Sequence, residues 1–369
     1  MTALTETSSL AALLARRICA VGPMTLAEFM TEALHHPRFG YYATRDPFGA
    51  AGDFVTAPEI SQIFGELLGL WCIDAWIKLG RPDPIILAEL GPGRGTLMAD
   101  ALRAARLVPE FRRALRLHLV ETGPKLRAMQ SKILAEAQPT WHDGSDTLPD
   151  GPLLLIANEF LDALPIRQFE RGAVHWHERC VGLAPDGVSL QIQIERAPSP
   201  AAALIPPELR SAPPGSVAEI CPASLSLATG LGGRLARTGG YALFIDYGYA
   251  PSATGETLQA VRAHRYHPVL ASPGAADLTA HVDFAAFAEA ARQSSARVWG
   301  PITQRAFLEH LGIHDRMARL LAKASGDQAP VIKSGVNRLI DPSEMGVLFK
   351  VAALAHPDLP PPAGFPEPP

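Results

Sequence analysis

Hydrophobic and polar positions change their period several times along this chain, and each change marks an element. From Leu10 to about Leu79 apolar residues recur at helical spacing, as in Ile60, Ile63, Phe64, Leu67, Leu68 and Trp71, so region 1–80 is predicted to be helical. A loop rich in glycine and aromatic residues, 39–58, interrupts it and is too long for a simple connector. Past Arg81, Pro82, Asp83 and Pro84 the pattern turns to βα alternation: strand 85–90, helix 96–105, strand 117–121, helix 124–137 and the continuous apolar run 153–158. Two runs, 174–180 and 188–194, flank a turn at Pro185, Asp186 and Gly187, so 171–216 reads as an inserted antiparallel hairpin. A helix through Leu231 completes an inserted substrate or cap region, 171–236. A buried strand, 241–246, resumes the sheet, and a polar, His-rich excursion covers 248–284. Helix 285–292, a strand near Val298, helix 303–311 and a closing strand 346–354 follow. The fold class is therefore α/β, with a doubly wound parallel sheet built from 81–170 and 237–369. The proline-rich tail 357–369 cannot join a ladder and is expected to be disordered or draped on the surface.

The first strand ends in Glu89, Leu90, Gly91, Pro92, Gly93, Arg94, Gly95 and Thr96, after which a helix opens. Glycines there let the backbone pass close beneath a ligand and turn into a helix whose N–H groups face it. A dinucleotide turn has the spacing G-x-G-x-x-G, yet the position three past Gly93 is Thr96, and the glycines run G-x-G-x-G. Glu89, two residues before the first glycine, would repel a pyrophosphate but suits S-adenosylmethionine, which carries an ammonium and a sulfonium. This spacing argues against a nicotinamide-dependent oxidoreductase. Glu121 closes the next strand, where its two oxygens can accept both ribose hydroxyls of an adenosine; the competing reading is a solvated strand end. Asn158, Glu159 and Asp162 lie at the carboxyl end of the third readable strand, where ligands of such sheets bind. If 160–164 coils helically, Glu159 and Asp162 share a face and offer two carboxylates to a cation; the competing reading is an N-cap and a solvated acid.

Composition narrows the partners. Thirty-three basic against 37 acidic residues give a net charge of -4, without the positive field that nucleic-acid binding needs. No apolar run reaches the roughly 18 to 20 residues that cross a bilayer. The N-terminus places its apolar run before Arg16 and Arg17, the reverse of a secretory signal, and the four cysteines lack a CxxC pair. A cytoplasmic protein with reduced thiols is the expectation. Neither GxSxG nor GxxxxGK occurs, which removes the hydrolase-elbow and P-loop readings.

The strings GDFVTAPEISQIFGELLG, ELGPGRGTLMADALR, VETGPKLR, ANEFLDALPIRQF, FIDYGY, TLQAVRAHRYH, TAHVDF and MGVLFKVAAL together resemble the MidA-like family of adenosylmethionine-dependent methyltransferases. The likeness runs from about Ile18 to Ala355. It implies the class I, Rossmann-like methyltransferase sheet with an N-terminal helical cap, S-adenosylmethionine as cofactor, and protein arginine methylation of a respiratory complex I core subunit, the role of the family's mitochondrial members. A non-catalytic adenosylmethionine-binding assembly factor is the alternative. The resemblance also raises loop 39–58 to a lid in which Asp53 holds the methionine ammonium, Phe54 covers the sulfonium and Thr56 supports them; a structural turn is the competing reading. His264, Tyr266, His267, His281 and Asp283 belong to family strings and become candidates for the acceptor pocket. The family's usual VETSP reads VETGP here, with Gly123 in place of serine. The remaining histidines form no zinc-type set, so no metal is expected.

Overall fold

A computed structural model describes residues 9–44 and 56–366. Among these, the chain divides into two compact units, a smaller one from the segments ending at 44, 163–224 and 252–283, and a larger one from the remainder.

The larger unit holds strands β1 (Ile85–Leu90), β2 (Leu115–Val120), β3 (Thr140–His142), β4 (Leu153–Asn158), β5 (Gly240–Tyr249), β6 (Arg297–Thr303) and β7 (Phe349–Ala355). They lie in the order β3-β2-β1-β4-β5-β7-β6. Strands β1 to β5 pair in parallel, and β7 runs antiparallel to both its neighbours. Every residue of β1 and of β4 is buried, as expected of apolar runs covered on both faces. The chain winds outward from β1 to β3 and then returns to place β4 on the other side of β1. That reversal opens a crevice at the carboxyl ends of β1 and β4.

One face of the sheet is covered by the helix Gln62–Lys78, apolar on nearly all sides, whose Phe64, Leu68 and Trp71 share a core with Leu87, Leu154, Ile156 and Leu243. Glycines permit its close packing on the helix Thr96–Ala105: a Cβ on Gly65 would sit 2.6 Å from that of Asp100, and one on Gly69 2.5 Å from the carbonyl oxygen of Ala101. On the opposite face the rings of Phe244 and Phe287 meet edge to face at 4.7 Å. Two helices, Ile313–Leu321 and Gln328–Ile340, appear where the sequence pattern had suggested nothing. The closing strand begins at Phe349 because Met345–Leu348 forms a turn of helix. The tail as far as Pro366 is held rather than loose. Phe365 is buried, the Tyr241 hydroxyl donates to the Pro360 carbonyl (2.9 Å), Lys78 to that of Pro361 (2.8 Å), and Ala363 N–H to Asp74 (3.1 Å). Proline forbids a ladder but leaves its carbonyl free to accept.

In the smaller unit the helices Leu10–Val21 and Leu26–His35, the second opened by a capping box between Thr25 and Glu28, bury Leu14, Phe29, Met30 and Leu34 with Ile166, Val181 and Leu278. The expected hairpin is present as Trp176–Leu183 paired with Leu190–Pro198, the former also flanked by Met24–Thr25 and Arg167–Arg171. Val217–Ile220 is a strand of this sheet, and the helix expected after 216 starts only at Pro222. Buried Glu219 accepts from Gln168 Nε2 (2.7 Å), Thr257 N–H (3.0 Å) and Leu258 N–H (3.2 Å). It thereby ties the His-rich excursion to the sheet.

Candidate active site

The glycine turn is dictated by backbone geometry. Gly91, Gly93 and Gly95 all have positive φ (62°, 52° and 87°), a region that strains any residue with a Cβ. A Cβ on Gly91 would also lie 2.9 Å from the ring of Phe160. Just before the turn, Glu89 is only 3% exposed, its Oε2 has no hydrogen-bond partner, and burial pushes its pKa up to about 8. Asn158 lies on the same sheet face, since Glu89 pairs with Ile156 two residues before it. Its Nδ2 donates to Glu159 Oε1 (3.2 Å), while its buried Oδ1 has no partner. Among the described residues these two buried acceptors thus stand without donors. Past β2, Glu121 accepts from Gly123 N–H (2.7 Å) and, through its other oxygen, from Gln130 Nε2 (3.4 Å); burial raises its pKa.

The second cluster follows β4. Residues 160–164 form no helix, so the condition for Glu159 and Asp162 to share a helical face is not met, and Glu159 sits at φ 50°. The cause is Asp246, fully buried in the second half of β5, whose Oδ2 accepts the backbone N–H groups of Phe160 (3.1 Å), Leu161 (2.8 Å) and Asp162 (3.2 Å). Three donors converging on one oxygen fold the segment into a loop. The Tyr247 hydroxyl donates to Asp162 Oδ2. Glu159 Oε1 accepts the N–H of Ala57 (2.9 Å), and Glu59, two residues on, accepts the Thr96 hydroxyl (2.6 Å). The helix Ala57–Ile60 is therefore tied both to the start of the helix after the glycine turn and to the acid loop. Glu159 keeps a little exposed surface, yet protein surrounds it closely enough for desolvation to push its pKa up to about 7, with Asp162 adding in the same direction and the Ala57 N–H opposing. Burial and the two neighbouring acids push Asp246 upward as well.

Of the residues expected from sequence, the larger unit gathers Glu89, the three glycines, Glu121, Asn158, Glu159 and Asp162 at the carboxyl ends of β1, β2 and β4. Thr56 occupies the N-cap position of the helix Ala57–Ile60 without making a side-chain cap bond. Asp53 and Phe54 lie outside the described residues. The acceptor-pocket candidates belong to the smaller unit: His264 in the tight turn between Gln259–Arg262 and Arg265–His267, Tyr266 exposed beside it (83%), His281 with its N–H on the Thr257 hydroxyl (2.9 Å), and Asp283 in the short strand Val282–Asp283. Asp246 and Tyr247 were missed as site residues. The available signal was an acid ending a buried apolar strand, within FIDYGY.

This strand order, with a glycine turn after the first strand and acids after the second and fourth, defines a Rossmann-like methyltransferase fold. The chain belongs to the S-adenosyl-L-methionine-dependent methyltransferase family, whose model matches residues 67–302. It is 37% identical over 366 residues to mitochondrial protein arginine methyltransferase NDUFAF7 of Homo sapiens, covering 92% of this chain and 81% of the human protein. Against the Danio rerio protein of the same name the figures are 37% over 361 residues, 91% and 84%. A superfamily member from Burkholderia thailandensis, solved with S-adenosyl-homocysteine bound, is 29% identical with a TM-score of 0.81, over 96% of this chain and 93% of that one. The protein is thus an adenosylmethionine-dependent methyltransferase, and the oxidoreductase reading falls.

The residues present fit that cofactor. Buried acceptors lacking donors suit a cationic ligand, and the glycines leave room for one. The cytoplasmic placement expected from the sequence is overturned, because the curated relatives are named as mitochondrial. The order of charged and apolar residues at the N-terminus bears on secretion only and says nothing about mitochondrial delivery. Among the described residues no helix is long and apolar enough to cross a membrane, and no cluster of three or more His, Cys, Asp or Glu could hold a metal.

Proposed function

We propose that this chain methylates an arginine side chain of a partner protein, with a respiratory complex I core subunit as the candidate. The observation that carries the reading is the acid loop after β4, where Glu159 and Asp162 lie on backbone pinned by Asp246. The curated relatives named as protein arginine methyltransferases support it. Adenosylmethionine supplies a methyl already activated on a sulfonium, so the protein's task is alignment and exclusion of water. Glu89 offers its unpartnered oxygen to the cofactor's ammonium, the glycine turn passes beneath it, and Glu121 takes the ribose hydroxyls. Asp53, Phe54 and Thr56 are assigned to a lid over it. An arginine guanidinium is cationic at every cellular pH and its lone pair is delocalised, so carboxylates must grip it and turn one nitrogen toward the methyl. Glu159 and Asp162 are assigned that grip, and Asn158 accepts a further N–H. His264, Tyr266, His281 and Asp283 are assigned to acceptor contacts, and the exposure of Tyr266 suits a macromolecular acceptor.

The test is mass spectrometry of the complex I subunit from cells with and without this protein. Loss of an arginine methyl mark supports the assignment, and identical spectra refute that acceptor. The non-catalytic alternative requires that Glu159→Gln leave the mark intact.

A further inference from the structure

A buried amide links the two halves of the cofactor site. Gln130, on the helix Pro124–Ile133, is 0% exposed. A polar side chain so placed must find partners, and the partners decide which way its amide faces. Its Oε1 accepts the indole N–H of Trp141 at 2.8 Å. An indole nitrogen can only donate, so the carbonyl end must face Trp141 and the NH₂ end must face the opposite side. There Nε2 donates to the carbonyl of Gly93, the middle glycine of the turn, at 2.7 Å, and stands 3.4 Å from Glu121 Oε2. Gly95 faces the same helix: a Cβ there would be in ordinary contact with Gln130 Cγ (3.5 Å) and slightly tight against Leu134 Cδ1 (3.3 Å). The other oxygen of Glu121 is taken by the Gly123 N–H. The carboxylate is therefore oriented at both ends, and its spacing from the glycine turn is set by one side chain.

We propose that Gln130, oriented by Trp141, is a positioning residue that fixes Glu121 against the glycine turn and thereby sets the enzyme's selectivity for a nucleoside bearing both ribose hydroxyls. The proposal rests on the ribose role assigned to Glu121. Without the amide, the turn carbonyl loses its donor and the carboxylate is held only through the Gly123 N–H, so part of the ordering already present in the free protein would have to be done on binding.

The test compares binding of S-adenosylhomocysteine and its 2′,3′-dideoxyribose analogue by calorimetry in the full-length protein and in Gln130→Met, Trp141→Phe and Glu121→Gln. Methionine nearly matches glutamine in volume but cannot donate, and phenylalanine removes the indole N–H. The preference for the hydroxylated ligand should fall about tenfold in Gln130→Met, the worth of one hydrogen bond, and about threefold in Trp141→Phe. A purely structural role would weaken both ligands equally and leave their ratio unchanged. If Glu121→Gln loses the preference while Gln130→Met keeps it, the positioning role is wrong and the ribose reading stands. If Glu121→Gln keeps the preference, the ribose reading fails and takes the proposal with it. Should Gln130→Met not fold, an unchanged ratio in Trp141→Phe overturns the proposal.

Discussion

The glycine turn after β1 and the acid loop after β4 lie at the same end of one sheet, yet they are held in opposite ways. The turn takes its shape from its own residues: three glycines at positive φ, a proline between the first two, and a helix that starts at Thr96. The acid loop takes its shape from a distant residue, Asp246, 84 to 86 positions further along the chain, which gathers three backbone N–H groups. A substitution in the turn should therefore act where it is made, whereas the acid loop also answers to substitution on β5.

The contrast can be broken by substitutions that should separate binding from transfer. The largest effect is expected from Glu159→Gln, which leaves an oxygen to accept from Ala57 but removes the charge proposed to grip a guanidinium. Methyl transfer should fall on the order of 10²-fold or more, with S-adenosylhomocysteine affinity within about threefold of the parent. Parallel titration and turnover measurements check it, and equal losses in both would place Glu159 in the cofactor site. Next is Gly93→Val, which forces a β-branched residue to φ 52° and should weaken S-adenosylhomocysteine binding on the order of 10²-fold by calorimetry. Asp246→Asn keeps one acceptor oxygen for the three N–H groups but replaces the other oxygen, which accepts the Tyr247 N–H, with a donor. It should cut transfer about tenfold and lower unfolding free energy by about 1 to 3 kcal/mol, with cofactor affinity nearly unchanged. Denaturant melts and single-turnover rates are the readouts.

The smallest effect is pH-dependent. Burial raises Glu159 to about 7 and Glu89 to about 8 from an ordinary value of 4.5, so between those limits the folded state holds more protons than the unfolded chain. Their contribution to stability therefore declines as pH rises through that window. The ligand-free melting temperature should drop between about pH 5 and pH 8 and level off above that. Over the same range adenosylmethionine should bind a few-fold more tightly, because ionised carboxylates favour a cation. Affinity that is flat or falling with pH would show that Glu89 does not face it.

The same contrast explains what was legible in the sequence. The βα rhythm, the glycine spacing and Glu121 could be read because each depends on neighbours within about one element. The non-helical path of 160–164 could not, because the competing hydrogen bonds come from β5. The ordered tail was missed for a related reason: its carbonyls accept from Tyr241 and Lys78, which are remote in sequence. The helix Gln328–Ile340 carries Pro330 and Gly335, which interrupt its apolar pattern, whereas Ile313–Leu321 is short but has a clear apolar stripe that the sequence did offer. Asp53 and Phe54, singled out as lid residues, lie outside the described residues.

The most direct test of the account is methyl transfer itself. Purified protein is incubated with adenosylmethionine labelled in the methyl group and with the proteins of cells lacking this chain, and the labelled products are hydrolysed to amino acids. Label recovered as methylarginine, and lost in Glu159→Gln, is the expected result. Label in lysine, or none despite tight S-adenosylhomocysteine binding, would contradict it.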